Sequence, residues 1–194
     1  MIELELTDIA HGGVCVGHLD GRAVFTRFGL PGETVRVAVT SERSKLLRGD
    51  VVEVLDNPSP HRVNHPWPVA GPLGVGGADL GHVSFDYQSQ WKTHVLRASL
   101  RRVGGQGLVD HLEEQGIQPS VQAFESDRAT SGWHTRTRVE FTVDDDGLLA
   151  MFREGTHETV ALGQMPLAVR EIDELDLFQG AWRSHPGRGP EWYR

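Results

Sequence analysis

The first 57 residues alternate apolar and polar side chains in short runs that are separated by closely spaced turn residues. In the first run Ile2, Leu4 and Leu6 alternate with acidic and polar residues, and the glycines after His11 then provide a turn. Four more runs come after it, over 14–19, 22–27, 34–40 and 50–55, with a polar loop over 41–49. A period of two predicts strands, and no helical period lies between them. Because five such short strands lose their exposed edges by closing on themselves, we predict a small five-stranded OB-like barrel.

A proline-rich boundary separates this barrel from a region with a different pattern. The prolines of Asn57-Pro58-Ser59-Pro60 end the last strand and favour an extended linker. Apolar residues then recur every three or four positions over 85–103, which predicts an amphipathic helix that ends at Gly104-Gly105. The later patterns predict a short helix over 109–115, strands over 136–143, 148–153 and 157–162, a hairpin turn at 145–147 and a closing helix over 169–178.

These patterns predict a mainly β chain of the α+β class. We divide it into a barrel at 1–57, a small α+β central domain at 58–180 and a flexible tail at 181–194. No apolar run is long enough to span a membrane, and the N-terminus lacks the pattern of a secretory signal, so we expect no membrane partner and a cytoplasmic location. The single cysteine, Cys15, excludes an internal disulfide and a metal site built from cysteines of this chain.

The charge of the chain is unevenly distributed. Its formal net charge is −8, which argues against binding nucleic acid through bulk charge. The segment 58–105 nevertheless holds five lysine or arginine residues against two acidic ones, whereas the segments on either side are net acidic. Any polyanion should therefore prefer the first half of the chain.

The barrel segment also carries six cations close to Phe25 and Phe28. They are Arg22, Arg27, Arg36, Arg43, Lys45 and Arg48. Small barrels bind single-stranded nucleic acid with this mixture of a cationic groove and an aromatic platform. In the alternative interpretation Phe25 belongs to the core and the cations are an ordinary solvated face.

Other residues with possible chemistry are better explained without it. Cys15 lies inside a predicted strand with no neighbouring base, so we interpret it as structural. His61, His65 and His82 match no zinc-binding spacing, and the acidic run 144–146 fits a solvated turn. The glycine clusters at 74–77 and 104–105 do not connect a strand to a helix, as a nucleotide-cofactor loop must. We therefore assign no catalytic, cofactor-binding or metal-binding residue.

Several segments, in order, resemble a known family. Those of the barrel are His11-Gly12-Gly13-Val14-Cys15-Val16-Gly17, Asp20-Gly21-Arg22-Ala23-Val24-Phe25, Leu30-Pro31-Gly32-Glu33-Thr34-Val35 and Arg48-Gly49-Asp50-Val51-Val52-Glu53-Val54. They resemble the TRAM domain. The later segments are similar to the region after TRAM in the RNA (uracil-5-)-methyltransferases: Ser59-Pro60-His61-Arg62-Val63, Gly76-Gly77-Ala78-Asp79-Leu80, Gln88 with Lys92, Trp133-His134-Thr135-Arg136-Thr137-Arg138, Thr156-His157 and Pro166-Leu167. The resemblance spans nearly the whole chain.

The chain departs from the family at an iron-sulfur site. Many members hold a cluster with four cysteines, and the matching positions here are Trp67, Val75, Ala78 and Met165. All four replacements are apolar, as expected if side-chain packing fills the volume of the cluster. We therefore predict that this chain binds no iron-sulfur cluster.

The resemblance also implies a C-terminal catalytic domain that binds S-adenosylmethionine and carries a nucleophilic cysteine and a general base. This sequence has no glycine-rich cofactor loop and no second cysteine. We expect the chain alone to hold no cofactor and to methylate nothing, and the catalytic domain to lie after it in cis in the full-length protein.

The resemblance implies that the chain is the RNA-recognition portion of an S-adenosylmethionine-dependent RNA uridine C5-methyltransferase, with tRNA or rRNA as its partner. Matching segments predict RNA contacts from Arg22, Arg27, Arg43, Lys45 and Arg48 on the barrel and from Arg136 and Arg138 on one predicted strand. Gln88 and Lys92, one helical turn apart, fit RNA contact or helix packing equally. Two alternatives stay open: a standalone RNA-binding module or RNA chaperone, and a protein-docking scaffold whose barrel is only structural.

Overall fold

The computed structural model describes residues 1–180 and Trp182, and its N-terminal part is a closed five-stranded barrel. The strands are β1 (Ile2–Ile9), β2 (Cys15–Leu19), β3 (Arg22–Arg27), β4 (Thr34–Arg43) and β5 (Leu46–Asp56). They are hydrogen-bonded in the order β1-β2-β3-β5-β4, and β1 closes the barrel against β4. The pair β3–β5 is parallel and the other pairs are antiparallel. The predicted barrel is confirmed.

The alternation of side chains in β1 determines which of its faces is buried. Leu4 and Leu6 are buried in the barrel, whereas Glu3 and Glu5 are exposed. Strands approach each other so closely at Gly17 that a Cβ there would collide with the backbone oxygen of Glu5. Glycine at this position therefore allows the strands of a small barrel to close.

The predicted loop over 41–49 is wrong, because β4 and β5 continue through it as a hairpin. Arg43 pairs with Leu46, which leaves Ser44 and Lys45 as a two-residue turn. Most side chains in this stretch are polar because it projects past the barrel core, so the sequence shows loop-like composition where the backbone is paired. Leu47, which is 2% exposed, is the point at which β5 enters the core.

A buried ion pair fastens the linker after β5 to the barrel. Arg62 donates from Nε to Glu33 Oε1 at 2.6 Å and from a terminal nitrogen to Glu33 Oε2 at 2.5 Å. It also donates to the backbone oxygen of Phe28 at 2.9 Å. The Glu33 carboxylate is fully buried and accepts further hydrogen bonds from the backbone N–H groups of Leu30 and Ser59. Burial is the largest influence on this carboxyl and would raise its pKa, but the hydrogen bonds from Arg62 and the backbone outweigh it and hold the pKa below its ordinary value.

The long helix α1 (Phe85–Glu114) is broken at Gly105, whose φ of 71° and ψ of 177° are not helical. Its first half agrees with the predicted amphipathic helix, and the residues after the break agree with the predicted short helix. Trp91 is 2% exposed and packs in the hydrophobic cluster that contains the barrel core. Gln88 donates to the backbone oxygens of Leu80 and Val83, so its side chain has a structural role at the start of the helix.

His82 is buried next to Trp91 and is held in its neutral form. Its Nε2 lies 3.2 Å from the backbone oxygen of Gly29, to which it donates, and its Nδ1 has no hydrogen-bond partner among the described residues. Its pKa is lowered to about 4, first by burial, which opposes the charge, and also by the nearby Arg62.

We expect this histidine to make stability depend on pH. A histidine of the unfolded chain titrates near pH 6.5, so between pH 6.5 and 4 the unfolded state binds a proton that the folded state rejects. The stability that His82 contributes is therefore present above pH 6.5 and falls as the pH is lowered through this window. Between pH 7 and 5 the loss should be about 2 kcal/mol larger for the wild type than for His82→Gln in urea unfolding. Equal losses in both proteins would show that His82 is not the titrating group.

The remaining described residues form a smaller sheet with short helices. A 3-10 helix at Pro68–Ala70 precedes α1. The elements after α1 are α2 (Glu125–Ala129), β6 (Thr142–Val143), β7 (Leu149–Phe152), β8 (Thr159–Ala161) and α3 (Arg170–Asp173). The sheet order is β6-β7-β8, with the predicted turn between β6 and β7 closed by the Asp144 N–H donating to the Leu148 oxygen. The strand predicted over 136–143 is wrong except at its end, and the predicted closing helix is only four residues long.

Two compact units divide the described chain. One comprises 1–66 and 79–125, and the other comprises 67–78 and 126 onward. This grouping differs from the sequence-based division after residue 57, because α1 and the segments before and after it belong with the barrel. The division mixes distant sequence segments, which a linear composition pattern cannot reveal. Apart from Trp182, the predicted tail at 181–194 lies outside the described residues.

The second unit has its own core, and the four positions that align with family cysteines lie in it. Trp67, Val75 and Met165 are buried members of this hydrophobic cluster, and Ala78 packs against it. The residues present offer no thiolate at these four positions, so they do not fit an iron-sulfur cluster. None of the helices among residues 1–180 combines the length and the apolar composition that a membrane-spanning segment needs.

Candidate nucleic-acid interface

Three exposed cations lie on the hairpin that joins β4 to β5. In β5 the side chain of Leu47 points into the core, so those of Leu46 and Arg48 point outward. Arg43 pairs with Leu46 and therefore shares the outer face with Arg48, at the diagonal distance of about 7–8 Å that antiparallel strands impose. Lys45 occupies the turn between them. No described carboxylate forms an ion pair with any of these three cations, so their charge is free to face a ligand.

Phe25 is the aromatic neighbour of these cations, whereas Phe28 is not. Phe25 pairs with Arg48 across the parallel β3–β5 ladder, and it is half-buried on the outer face between the inward residues Val24 and Thr26. Phe28 is only 3% exposed and makes edge-on ring contacts with His65 and His82. The prediction that Phe28 is a stacking face is therefore wrong, because the chain turns inward there.

The other two predicted barrel cations are held by carboxylates. Arg22 contacts Glu42 at 2.7 Å, and Arg27 donates from two nitrogens to the two oxygens of Asp50, both at 2.8 Å. Asp50 is 1% exposed, so Arg27 compensates a buried charge and has a structural role. Arg22 lies at the hairpin end of β3, since its neighbour Ala23 pairs with Leu46. Arg27 lies at the opposite end, about 17 Å away at about 3.3 Å per residue.

The two arginines predicted on the central domain do not share a strand face. Arg136 makes an isolated bridge with Ala168 and donates to the backbone oxygen of Gly77 at 2.8 Å. Arg138 is exposed in a segment without regular structure. The alternation of residues does not produce a strand here because a strand needs a neighbouring strand, and within this region only Thr142–Val143 has one.

The residues that the sequence assigned to structure are packed as structural residues. Cys15 is buried and donates from Sγ to the Gly29 oxygen at 3.2 Å, and burial raises the pKa of its thiol far above the ordinary value. His61 stacks on Tyr87 with ring centroids 3.8 Å apart. Among the described residues, no three histidine, cysteine or acidic side chains are grouped as they would be to hold a metal ion.

The sequence-based prediction did not single out the cations of α1 other than Lys92. Arg97 and Arg101 lie one helical turn apart on this helix and line a cavity of about 500 Å³. The signal that could have identified them is the positive balance of segment 58–105, combined with their i, i+4 spacing.

Comparison with known proteins gives a match to a domain family and matches to individual proteins. The TRAM domain family matches residues 1–52, which include all five barrel cations predicted to contact RNA. Over 187 residues the chain is 40% identical to an uncharacterized RNA methyltransferase of Bifidobacterium longum, covering 93% of this chain and 41% of that protein. A similar protein of Streptomyces coelicolor is 36% identical, with 93% of this chain and 39% of that protein covered. The chain thus spans about two fifths of the length of these relatives.

Two further matches are named for uracil methylation. Over 101 residues, or 50% of this chain and 21% of the relative, the chain is 39% identical to the 23S rRNA (uracil(1939)-C(5))-methyltransferase RlmD of Acinetobacter baylyi. The crystal structure of the tRNA (uracil-54, C5)-methyltransferase of Pyrococcus abyssi, in complex with S-adenosyl-L-homocysteine, matches with a TM-score of 0.54 and 21% identity. That match covers 89% of this chain and 34% of the other, and at this identity it shows a shared fold.

Proposed function

Because residues 1–52 form a TRAM domain and the chain is related over nearly its whole length to part of proteins named RNA methyltransferases, we propose that it is the RNA-recognising portion of an RNA uracil-C5 methyltransferase. The observation that carries the proposal is the hairpin on which Arg43, Lys45 and Arg48 have no carboxylate partner among the described residues.

The hairpin has the two components that a single-stranded RNA contact needs. Arg43 and Arg48 present guanidinium groups on one face, and each can bind a phosphate with two parallel hydrogen bonds. Phe25 offers part of its ring beside Arg48 for stacking with a base. The ion pairs of Arg22 and Arg27 hold the strands underneath, so these two arginines support the surface rather than extend it.

In this proposal the RNA is a tRNA or an rRNA, and the chemistry is supplied by a catalytic domain in cis. S-adenosylmethionine would bind that domain, and no described residue of this chain is assigned to hold it. Recognition by the barrel would position a folded or looped RNA so that the target uridine can be exposed for methylation.

We expect the purified chain to bind a uridine-containing RNA stem-loop with an affinity that falls steeply as salt is raised. The physical reason is the release of counterions when cations neutralise phosphates, so the logarithm of the affinity should fall linearly with the logarithm of salt concentration. Fluorescence anisotropy between about 50 and 200 mM salt measures this slope. A chain that shows no RNA binding at the lowest salt would instead support the protein-docking alternative.

A further inference from the structure

One face of α1 forms a groove that is separate from the hairpin. Gln90, Thr93, His94, Arg97 and Arg101 recur at short helical intervals and line the cavity of about 500 Å³ together with Val121 from the segment after the helix. A cavity of this volume falls in the range that accommodates a nucleotide-sized ligand.

Hydrogen bonds fix both walls of the groove. The Val121 N–H donates to Thr93 Oγ1 at 2.8 Å, and Arg97 donates from Nε to the Pro119 oxygen at 2.9 Å. His94 Nε2 lies 3.2 Å from the Ile9 oxygen, to which it donates, so the helix is attached to the end of β1. Because only the Nε of Arg97 is used in this way among the described residues, its two terminal nitrogens stay available to a ligand.

The charge of the groove is positive. Arg97 and Arg101 both line it, and among its described lining residues none carries a carboxylate. Two carboxylates lie at its margins: Asp8 is 3.4 Å from His94, and Glu113 lines a neighbouring cavity of about 340 Å³ that the two arginines also line. Neither carboxylate forms an ion pair with Arg97 or Arg101 in the described chain, so the groove is lined by two arginines without an acidic partner among the described residues.

The groove lies at the opposite end of the barrel from the hairpin. His94 contacts β1 at Ile9, which pairs with Cys15, and Cys15 pairs with Thr26 near the end of β3. The hairpin instead lies beside the beginning of β3, where Ala23 pairs with Leu46. At about 3.3 Å per residue these two positions are about 10 Å apart along β3. The groove and the hairpin are therefore separate surfaces of the same compact unit.

We propose that the α1 groove is a second binding site for the phosphate groups of an RNA strand, with Arg97 and Arg101 as the phosphate ligands. This inference rests on the proposed function and adds a surface outside the TRAM match at 1–52. The groove explains how an acidic chain binds a polyanion: the contacts are made at two local positive surfaces rather than through net charge.

The test uses Arg101→Ala, with Arg102→Ala as the matched control. Arg102 is the next residue, is also exposed and carries the same charge, but it is not among the groove-lining residues and instead contacts His11 at 3.4 Å. With the RNA stem-loop, Arg101→Ala should weaken binding about 3- to 10-fold and make the salt slope shallower by about 1, whereas Arg102→Ala should change both much less. An unchanged thermal midpoint verifies that each variant is folded.

Other outcomes overturn the inference in distinguishable ways. If the wild type binds RNA and the hairpin variant Arg43→Ala/Arg48→Ala loses affinity while Arg101→Ala does not, the proposed function stands and the groove site is rejected. Equal losses for Arg101→Ala and Arg102→Ala mean that diffuse charge, and not the groove, attracts RNA. If uridine 5′-monophosphate binds with dependence on Arg101 while RNA affinity does not change in Arg101→Ala, the groove is a mononucleotide site and the RNA assignment is wrong. If the wild type does not bind RNA, both proposals fail.

Discussion

Arg62→Met should lower the free energy of unfolding by about 3–5 kcal/mol, the usual cost of leaving a buried charge without its partner. Glu33 is fully buried and Arg62 is its cationic partner, so the methionine variant would keep the carboxylate in an apolar site with only backbone donors. Urea unfolding at pH 7, followed by circular dichroism, measures the loss. The pKa of Glu33 is lowered in the folded state, so the stabilisation from this pair is fully present above the pKa of an unfolded glutamate and is lost as the pH falls from there through the lower pKa of the folded state.

The control for this prediction is Arg36, a barrel arginine that contacts two exposed carboxylates. Arg36 contacts Glu3 at 2.8 Å and also contacts Glu53, but all three side chains are substantially exposed. Arg36→Met should therefore cost much less stability than Arg62→Met, because solvent screens exposed ion pairs. The double variant Glu33→Gln/Arg62→Met should recover part of the stability, because it removes the unpaired charge while the amide oxygen can still accept from the backbone N–H groups of Leu30 and Ser59. A loss for Arg62→Met no larger than that for Arg36→Met would contradict the structural role assigned to Arg62.

Arg43→Ala/Arg48→Ala should weaken RNA binding by about 10- to 100-fold, since each charge-assisted contact contributes roughly one factor of ten. Both side chains are exposed and unpaired in the described chain, so their loss should leave folding unchanged while two phosphate contacts disappear. The salt dependence should become shallower by about 2 for the same reason. Anisotropy titrations of one RNA stem-loop at several salt concentrations measure both quantities.

Arg36→Ala is the matched control for the hairpin, because it removes a barrel cation that two glutamates already neutralise. It should change RNA affinity less than about twofold, well under the effect of one lost phosphate contact. Phe25→Leu adds a test of stacking: the affinity should fall while the salt slope stays constant, since a ring contact releases no counterions. Equal effects of the Arg36 and hairpin substitutions would place the RNA elsewhere.

The barrel was predictable because its information is local. Alternating residues such as Leu4 and Leu6, interrupted by turn residues, are recognisable without knowledge of any distant contact. The break at Gly105 and the turn before Leu148 were predictable for the same reason. The strand predicted over 136–143 was wrong even though polar and apolar residues do alternate there. A strand also needs a pairing partner, and the local sequence does not specify one.

The candidate site was only partly predictable. All seven predicted cations are surface candidates by sequence. The structure separates Arg22 and Arg27 from the three hairpin cations because each of these two arginines has a carboxylate partner on another strand. Asp50 lies 23 residues after Arg27 in the sequence and beside it in the β3–β5 ladder. A similar distance of 29 residues separates Glu33 from Arg62, so nothing in the motif that contains Arg62 indicates its buried partner.

The sequence by itself determined the existence of the barrel, the resemblance to TRAM and the local positive balance of the segment 58–105. Those features depend on residue type and short-range periodicity, which act over a few positions of the chain. Only the tertiary structure decided which cations are free, that Phe25 and not Phe28 is on the outer face, and that α1 adds Arg97 and Arg101 at the other end of the barrel. Each of these depends on which residues fold to within about 4 Å of one another, and charge pairing and burial are set by that distance rather than by separation along the chain.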